Sequence, residues 1–329
     1  LSTSPHLVNV NERIRVNGKP IKDEMLALFI EKYKLGIEMF SASFFEVITA
    51  MAFWFFKEKN VDIAVMETGL GGRLDSVTIC NPILTVITPI SLDHTEILGD
   101  SIKKIAYEKA GIMKKGVPCV ISKQENQAYS VLNKHALKLN CDLIISTKIY
   151  NRIKPALMGK YQYENACLAI SAIKNLKNYN ISDKFIKEGV KKTVWYGRNQ
   201  ILQKFPYVIF DVAHNISGIN SFLEFFKSLE SKGVSVLVLS LQKRKQIKQI
   251  KQKLIKTFNF IICCETQNPR TMKLESLSLQ MGINSKIKYI KAEREAIKAG
   301  LKLLKNKNDK MAIIGTHYFG ESISNLFNK

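Results

Sequence analysis

The order of apolar and polar positions divides the chain into many short elements. Residues 8–16, then Asn17-Gly18, then residues 19–21 read as an extended stretch with a tight turn, because Asn-Gly supplies the positive φ values that a two-residue hairpin needs. Residues 21–34 carry apolar side chains at helical spacing. A second helical pattern, residues 41–59, begins at a candidate serine cap and runs through Phe44, Phe45, Ile48, Met51, Ala52 and Phe55. β-rich runs at 61–66, 82–87 and 118–121 then alternate with helical patterns at 102–112 and 127–139, which predicts a mainly parallel sheet covered by helices. Two more helices are expected at 161–176 and 182–192, ending near Trp195-Tyr196-Gly197-Arg198. We place a domain boundary there, giving domains 1–197 and 198–329.

The second half repeats the alternation. Strands are expected at 207–212, 234–239, 258–263, 287–290 and 311–314, with helices such as 218–229 and 292–304 between them. That pattern predicts a Rossmann-like α/β domain, and the absence of a GxGxxG fingerprint argues against a dinucleotide. A length of 329 residues suits two such domains, and 46% hydrophobic with 24% charged residues suits a folded protein with a substantial core.

Charge adds a question about partners. A formal net charge of +22 is compatible with nucleic acid, a membrane surface or an anionic substrate. The lysines are spread along the chain, and the densest run, Lys243-Arg244-Lys245 through Lys248, Lys251 and Lys253, shares a helix-like stretch with Ile247, Ile250 and Leu254 at core spacing. It reads as a solvated helix face, so neither nucleic acid nor membrane is expected as a partner. The six cysteines, Cys80, Cys119, Cys141, Cys167, Cys263 and Cys264, form no CxxC pair and read as reduced core residues. The apolar run 48–56 is too short to span a bilayer and no signal peptide precedes it, so a cytoplasmic protein is expected. The chain opens at Leu1, not Met, as expected of the middle of a gene product.

Candidate chemistry collects where predicted strands end. The stretch from Val61 through Glu67, Gly69, Gly71, Gly72, Arg73 and Asp75 reads as a buried strand ending in a carboxylate and entering a glycine-rich turn. Glu67 there suits a hard cation such as Mg²⁺, which takes oxygen ligands and keeps phosphate oxygens beside them; a surface carboxylate before a tight turn fits the pattern equally well. The next strand ends in Asp93-His94-Thr95-Glu96, and two parallel strands delivering polar groups to one edge favour a shared site. Lys109 falls near a helix C-terminus, where offsetting the helix dipole explains it without function. In the second domain Asp211 ends a strand, and His214-Asn215 precede a helix N-terminus. Either an anion site or a plain helix cap at Asn215 fits.

Taken together these residues carry a resemblance. Ser2-Thr3-Ser4-Pro5-His6-Leu7 with Asn11-Glu12-Arg13-Ile14-Arg15, the segment Glu67 to Asp75, Leu92 to Glu96 with Leu98-Gly99-Asp100, and Glu108-Lys109-Ala110-Gly111-Ile112 are similar in content, order and spacing to the bifunctional dihydrofolate synthase/folylpolyglutamate synthases of the Mur ligase superfamily. Trp195-Tyr196-Gly197-Arg198, Asp211 to Asn215 and Asn268-Pro269-Arg270 continue it, so the resemblance covers nearly the whole chain. It implies an α/β fold with a Mur-ligase-like central ATPase domain and a Rossmann-like C-terminal domain. It also implies an ATP-dependent reaction in which the carboxylate of dihydropteroate or a reduced folate is phosphorylated and then attacked by the amine of L-glutamate. Ser4, Glu67 and His94 are then expected to hold Mg²⁺, Lys109 to be carbamylated and serve a second Mg²⁺, and Asp75 to meet substrate. Lys109 and His94 would be the catalytic pair, and Asn165, Arg198, Asp211 and His214 would bind ATP. A monomer is expected.

The sequence also departs from that family. The Gly-Lys-Gly-Ser-type phosphate loop belongs upstream of Ser-Pro-His, where only Leu1-Ser2-Thr3 stand, and no Gly-Lys-Ser or Gly-Lys-Thr occurs downstream. The expectation is that the central domain lacks its N-terminal part and that these 329 residues alone neither bind ATP tightly nor ligate. Thr78 stands where an Asn is usual, the stretch between Cys141 and Gly159 is short, and Gln242-Lys243-Arg244-Lys245 replaces an acidic element. A cell-wall amino-acid ligase and a non-catalytic binding protein derived from the fold are the alternatives.

Overall fold

The computed structural model describes residues 1–147, 153–243, 245 and 247–327. It divides into two units, Leu1–Tyr150 with Cys167–Ser182, and Asn151–Ala166 with Asp183–Lys329.

The first unit begins with the predicted turn. β1 (Arg15–Val16) and β2 (Lys19–Pro20) pair antiparallel around Asn17 and Gly18, at φ 50° and 80°. The positive φ values are those Asn-Gly supplies most cheaply. Residues 10–13, expected to be extended, instead form a 3₁₀ turn, because Glu12 accepts the backbone N–H groups of Leu7, Val8 and Asn9 and folds the segment back on itself. Helices α1 (Asp23–Met39) and α2 (Phe44–Glu58) follow. α2 starts at a capping box: Ser43 Oγ accepts the N–H of Glu46 and the Glu46 carboxylate accepts that of Ser43. The cap is therefore Ser43, not Ser41, which adopts φ 48° in the turn before it. Ile48, Met51, Ala52, Phe55 and Phe56 of α2 form one core with Ile14, Ile21 and Phe29.

β3 (Thr85–Ile87), α3 (Thr95–Leu98), α4 (Ile102–Ala110), β4 (Cys119–Ile121), α5 (Asn126–Lys138) and β5 (Leu143–Ile145) complete the α/β part. The three strands pair in parallel in the order β3-β4-β5. Ile87, Cys119 and Ile121 of the sheet pack on Ile105 and Ala106 of α4 and Leu132 of α5. α6 (Lys160–Lys174) and α7 (Asp183–Lys192) follow.

The second unit carries a six-stranded sheet. Its strands are β6 (Gln200–Gln203), β7 (Tyr207–Asp211), β8 (Ser235–Leu239), β9 (Phe260–Glu265), β10 (Ile287–Ala292) and β11 (Lys310–Ile314). Between and after them lie α8 (Ile216–Ser228), α9 (Lys251–Thr257), α10 (Leu274–Met281), α11 (Glu293–Leu303) and α12 (Gly320–Phe327). The order is β10-β9-β8-β11-β7-β6, parallel throughout except for the antiparallel edge β6. β8 and β11 are buried at every position and apolar after their first residues, Ser235 and Lys310, as expected of strands covered on both faces.

Several expectations change. Residues 61–66 are not a buried strand: only Met66 bridges, in parallel, to Ser2, and Ile63 and Val65 are 39% and 59% exposed. β-rich composition reports fit to a half-buried pleated surface, and a single bridge does not supply one. β5 and β6 were not expected, since β5 has three residues and β6 is an edge strand begun and ended by Gln. The basic stretch is not one helix. Lys243 and Lys248 lie in turns ahead of α9, although Ile247, Ile250 and Leu254 do enter the core; Arg244 lies outside the described residues. Among the described residues no helix is long and apolar enough to cross a membrane.

Candidate active site

In the first unit the chain start is stitched beside the segment ending at Glu67. Ser2 N–H donates to Val65 O at 2.8 Å and Glu67 N–H to Ser2 O at 2.9 Å, so two parallel extended segments end side by side. Their ends carry Ser4 and Glu67, and the Ser4 N–H donates to Glu67 Oε2 at 2.8 Å. Ser4 and Glu67, expected to share a cation, are thus neighbours, joined through the Ser4 backbone.

The glycine-rich turn is folded around Asp75. Its Oδ2 accepts the N–H groups of Gly69 and Leu70 at 2.8 and 2.9 Å, and Oδ1 accepts that of Val77 at 3.0 Å. Only 8% exposed, the carboxylate is spent on its own loop. The turn then lies flat on the end of α4. A Cβ added to Gly72 would stand 2.9 Å from the Glu108 carbonyl and 3.0 Å from that of Lys109, and one added to Gly111 would overlap the Cα of Arg73. The two glycine-bearing motifs therefore need each other. Gly111→Ala is expected to destabilise the protein by about 1–3 kcal/mol through this overlap, read as a lower denaturant midpoint; an unchanged midpoint would mean that the turn can move away.

Lys109, in the last turn of α4, is half-buried. Burial lowers the pKa of its amine, opposed by the negative charges of Asp93 and Asp75. Lys109 is thus in range of both carboxylates, of which Asp93 was not singled out from sequence because nothing local set it apart from Glu96. His94 has φ 50°, a left-handed conformation uncommon for a residue with a side chain, and its N–H donates to Asp93 Oδ1 at 2.9 Å. No group of three or more His, Cys, Asp or Glu side chains among the described residues is arranged to hold a metal ion. The donor set still fits Mg²⁺, which takes one or two carboxylates and fills its remaining positions with water and phosphate oxygens.

In the second unit Asp211 ends β7 and is 3% exposed. Its Oδ2 accepts the Asn199 N–H at 2.7 Å and the Tyr161 hydroxyl at 3.4 Å, and its Oδ1 accepts the Ala213 N–H at 2.8 Å. Burial pushes its pKa up, countered by these donors and by the charge of Arg198. Arg198, Asp211 and Tyr161 therefore form one cluster. His214 Nδ1 lies 3.0 Å from the Val212 carbonyl; a carbonyl only accepts, so in the neutral ring Nδ1 carries the proton and Nε2 is the acceptor. Asn215 is a helix cap, its Oδ1 accepting the Gly218 N–H at 2.7 Å. Asn165 Nδ2 donates to Gln162 Oε1 at 3.3 Å, one helical turn from Tyr161 on α6. Beside Tyr161 opens a groove of about 910 Å³, lined in part by Met158, Tyr163, Glu164 and Phe225. Sequence reasoning missed Tyr161 and Asn199, whose roles exist only once α6 and β6 stand beside β7.

Comparison with known proteins adds relatives. Residues 35–149 match the Mur ligase middle domain, and residues 197–317 match the Mur ligase glutamate ligase domain. A Bacillus subtilis protein, dihydrofolate synthase/folylpolyglutamate synthase, is 33% identical over 96% of this chain and 81% of its own length. The folylpolyglutamate synthase of Mycobacterium tuberculosis, solved with ADP and AMPPCP, superposes with a TM-score of 0.91 at 27% identity, covering 100% of this chain and 84% of that one. Escherichia coli FolC, solved with DHPP and ADP, gives 0.89 at 25% identity over 99% of this chain and 80% of that one.

Proposed function

We infer the reaction from the family to which this chain belongs, the dihydrofolate synthase/folylpolyglutamate synthases among the Mur ligases. The protein is an ATP-dependent ligase that joins L-glutamate to the carboxylate of dihydropteroate or a reduced folate. ATP phosphorylates that carboxylate, and the glutamate amine attacks the resulting acyl phosphate to leave an amide and phosphate. The observation that carries this reading is that motif residues far apart in sequence meet in the first unit, Ser4 with Glu67 and the loop from Gly69 to Asp75 with the end of α4.

In the first unit Ser4, Glu67 and His94 are proposed to hold Mg²⁺, which when bound would offset charge developing on the transferred phosphoryl group. Lys109 is proposed to become carbamylated, its amine nitrogen adding to the carbon of CO₂ with loss of a proton. Burial favours the neutral amine that this step needs. Asp75 shapes the loop that meets substrate and reaches substrate only through it, since its oxygens are occupied by backbone. In the second unit Arg198, Asp211, His214 and Asn165 are proposed to bind ATP, with Tyr161 supporting Asp211. Residues 1–197 thus carry the proposed metal and lysine groups together with Asn165 and Tyr161, and residues 198–329 carry Arg198, Asp211 and His214. A cytoplasmic monomer without nucleic-acid or membrane partners completes the reading.

A phosphate-release assay tests it, on protein that includes any sequence encoded upstream of Leu1. Phosphate is expected only when ATP, a pteroate or folate acceptor and glutamate are all present. Release with a UDP-linked cell-wall precursor and none with folates would transfer the assignment to the cell-wall ligases.

A further inference from the structure

Arg73 has no role in the reaction described above, yet its contacts converge on a single helical turn. Its Nε lies 3.2 Å from both carboxylate oxygens of Glu108 and its Nη2 lies 3.1 Å from Oε1. Its backbone N–H donates to the Glu108 carbonyl at 2.8 Å, and its guanidinium stands 5.7 Å from the centre of the Tyr107 ring. Side chain and main chain thus both grip the residue before Lys109. Gly72 and Gly111, which have no room for a Cβ, press the same stretch of loop onto that turn.

An exposed ion pair ordinarily contributes little stability, and here the two side chains are 42% and 20% exposed. A two-pronged guanidinium–carboxylate pair does something else: it fixes direction as well as distance. The direction matters because Asp75, two residues beyond Arg73, belongs to the pinned loop and lies in electrostatic range of Lys109. The placement of the Lys109 amine relative to Asp75 therefore depends on how the loop is held against α4.

We propose that Arg73 and Glu108 form a latch that sets the position of Lys109 against the glycine-rich loop, which makes Arg73 a positioning residue for ligation. The proposal rests on the reading of Lys109 as a working group of the site. Arg73 acts through Lys109 and touches no substrate.

The test uses the active protein with Arg73→Ala, Glu108→Gln, the exchanged pair Arg73→Glu with Glu108→Arg, Lys109→Ala, and Lys109→Ala combined with Arg73→Ala. Each latch variant is expected to lose about tenfold or more in kcat, because small misplacements of a catalytic group are costly, with KM for ATP and glutamate little changed. The exchanged pair recovers most of the loss. In the Lys109→Ala background, Arg73→Ala costs less than about twofold, since residues acting as a unit are not additive. Equal losses in both backgrounds, or an exchanged pair no better than the single variants, would overturn the latch while leaving the role of Lys109 intact. Full kcat in Lys109→Ala would instead sink the role of Lys109, and the latch with it. Should Arg73→Ala fail to fold, Arg73→Lys keeps the charge without the fork, and wild-type kcat in that folded variant overturns the proposal.

Discussion

Glu67→Gln is expected to lower kcat by about 100-fold or more, because a ligated metal contributes several kcal/mol of transition-state stabilisation and each 1.36 kcal/mol is a factor of ten. The fold should be unaffected. Glu67 is exposed, and glutamine keeps an oxygen that can still accept the Ser4 N–H. What the substitution removes is the negative charge beside Ser4. Raising Mg²⁺ should recover part of the loss, since a weakened site fills at higher concentration. The measurement is kcat against Mg²⁺ for wild type and variant, with thermal midpoints beside them. His94→Ala should behave alike, and since alanine keeps a Cβ the left-handed backbone at this position is not relieved. A variant as active as wild type across the Mg²⁺ range would return Glu67 to the plain reading of a surface carboxylate before a turn.

That plain reading was equally open from sequence, and the reason is physical. A strand-end carboxylate becomes a candidate ligand only when a second donor is placed beside it, and Ser4 lies 63 positions away. Local pattern cannot supply such a pairing. The motif resemblance could, because it carries the co-occurrence of distant segments that periodicity lacks. Periodicity did well where burial is continuous: β8 and β11 are apolar at every position after their first residue and were found to within a residue. It did poorly at 61–66, where β-rich composition is spent on exposed positions, and at β6, whose residues follow no apolar alternation. The link between Gly72, Arg73 and α4 was illegible for a further reason. Each glycine looks like an ordinary turn or helix-end residue until the two segments are seen in contact.

Asp211 differs from Glu67 in being buried and bonded within the fold, so its removal should damage the fold directly. Its carboxylate is 3% exposed and accepts two backbone N–H groups, those of Asn199 and Ala213, and the Tyr161 hydroxyl. In Asp211→Ala all three donors lose their acceptor, and each buried donor left unsatisfied costs about 1–3 kcal/mol. The charge of Arg198 also loses its nearby opposite, while relief of the cost of burying a carboxylate offsets part of the damage. The net expectation is a loss of roughly 2–4 kcal/mol, a large share of the 5–15 kcal/mol typical of a folded domain. Asp211→Asn should lose less, because one amide oxygen can still accept, although its NH₂ group must face donors on the other side. Denaturant unfolding of the wild type and both variants reads the order directly. Tyr161→Phe separates the terms: it removes the long 3.4 Å bond to Asp211 and the hydroxyl's bond with Gln162 but leaves both backbone donors of Asp211 in place, and should cost far less than Asp211→Ala. If Asp211→Ala unfolds at the wild-type midpoint, the carboxylate is not what holds β6, β7 and the start of α6 together, and its burial would have to be explained by the proposed nucleotide role alone.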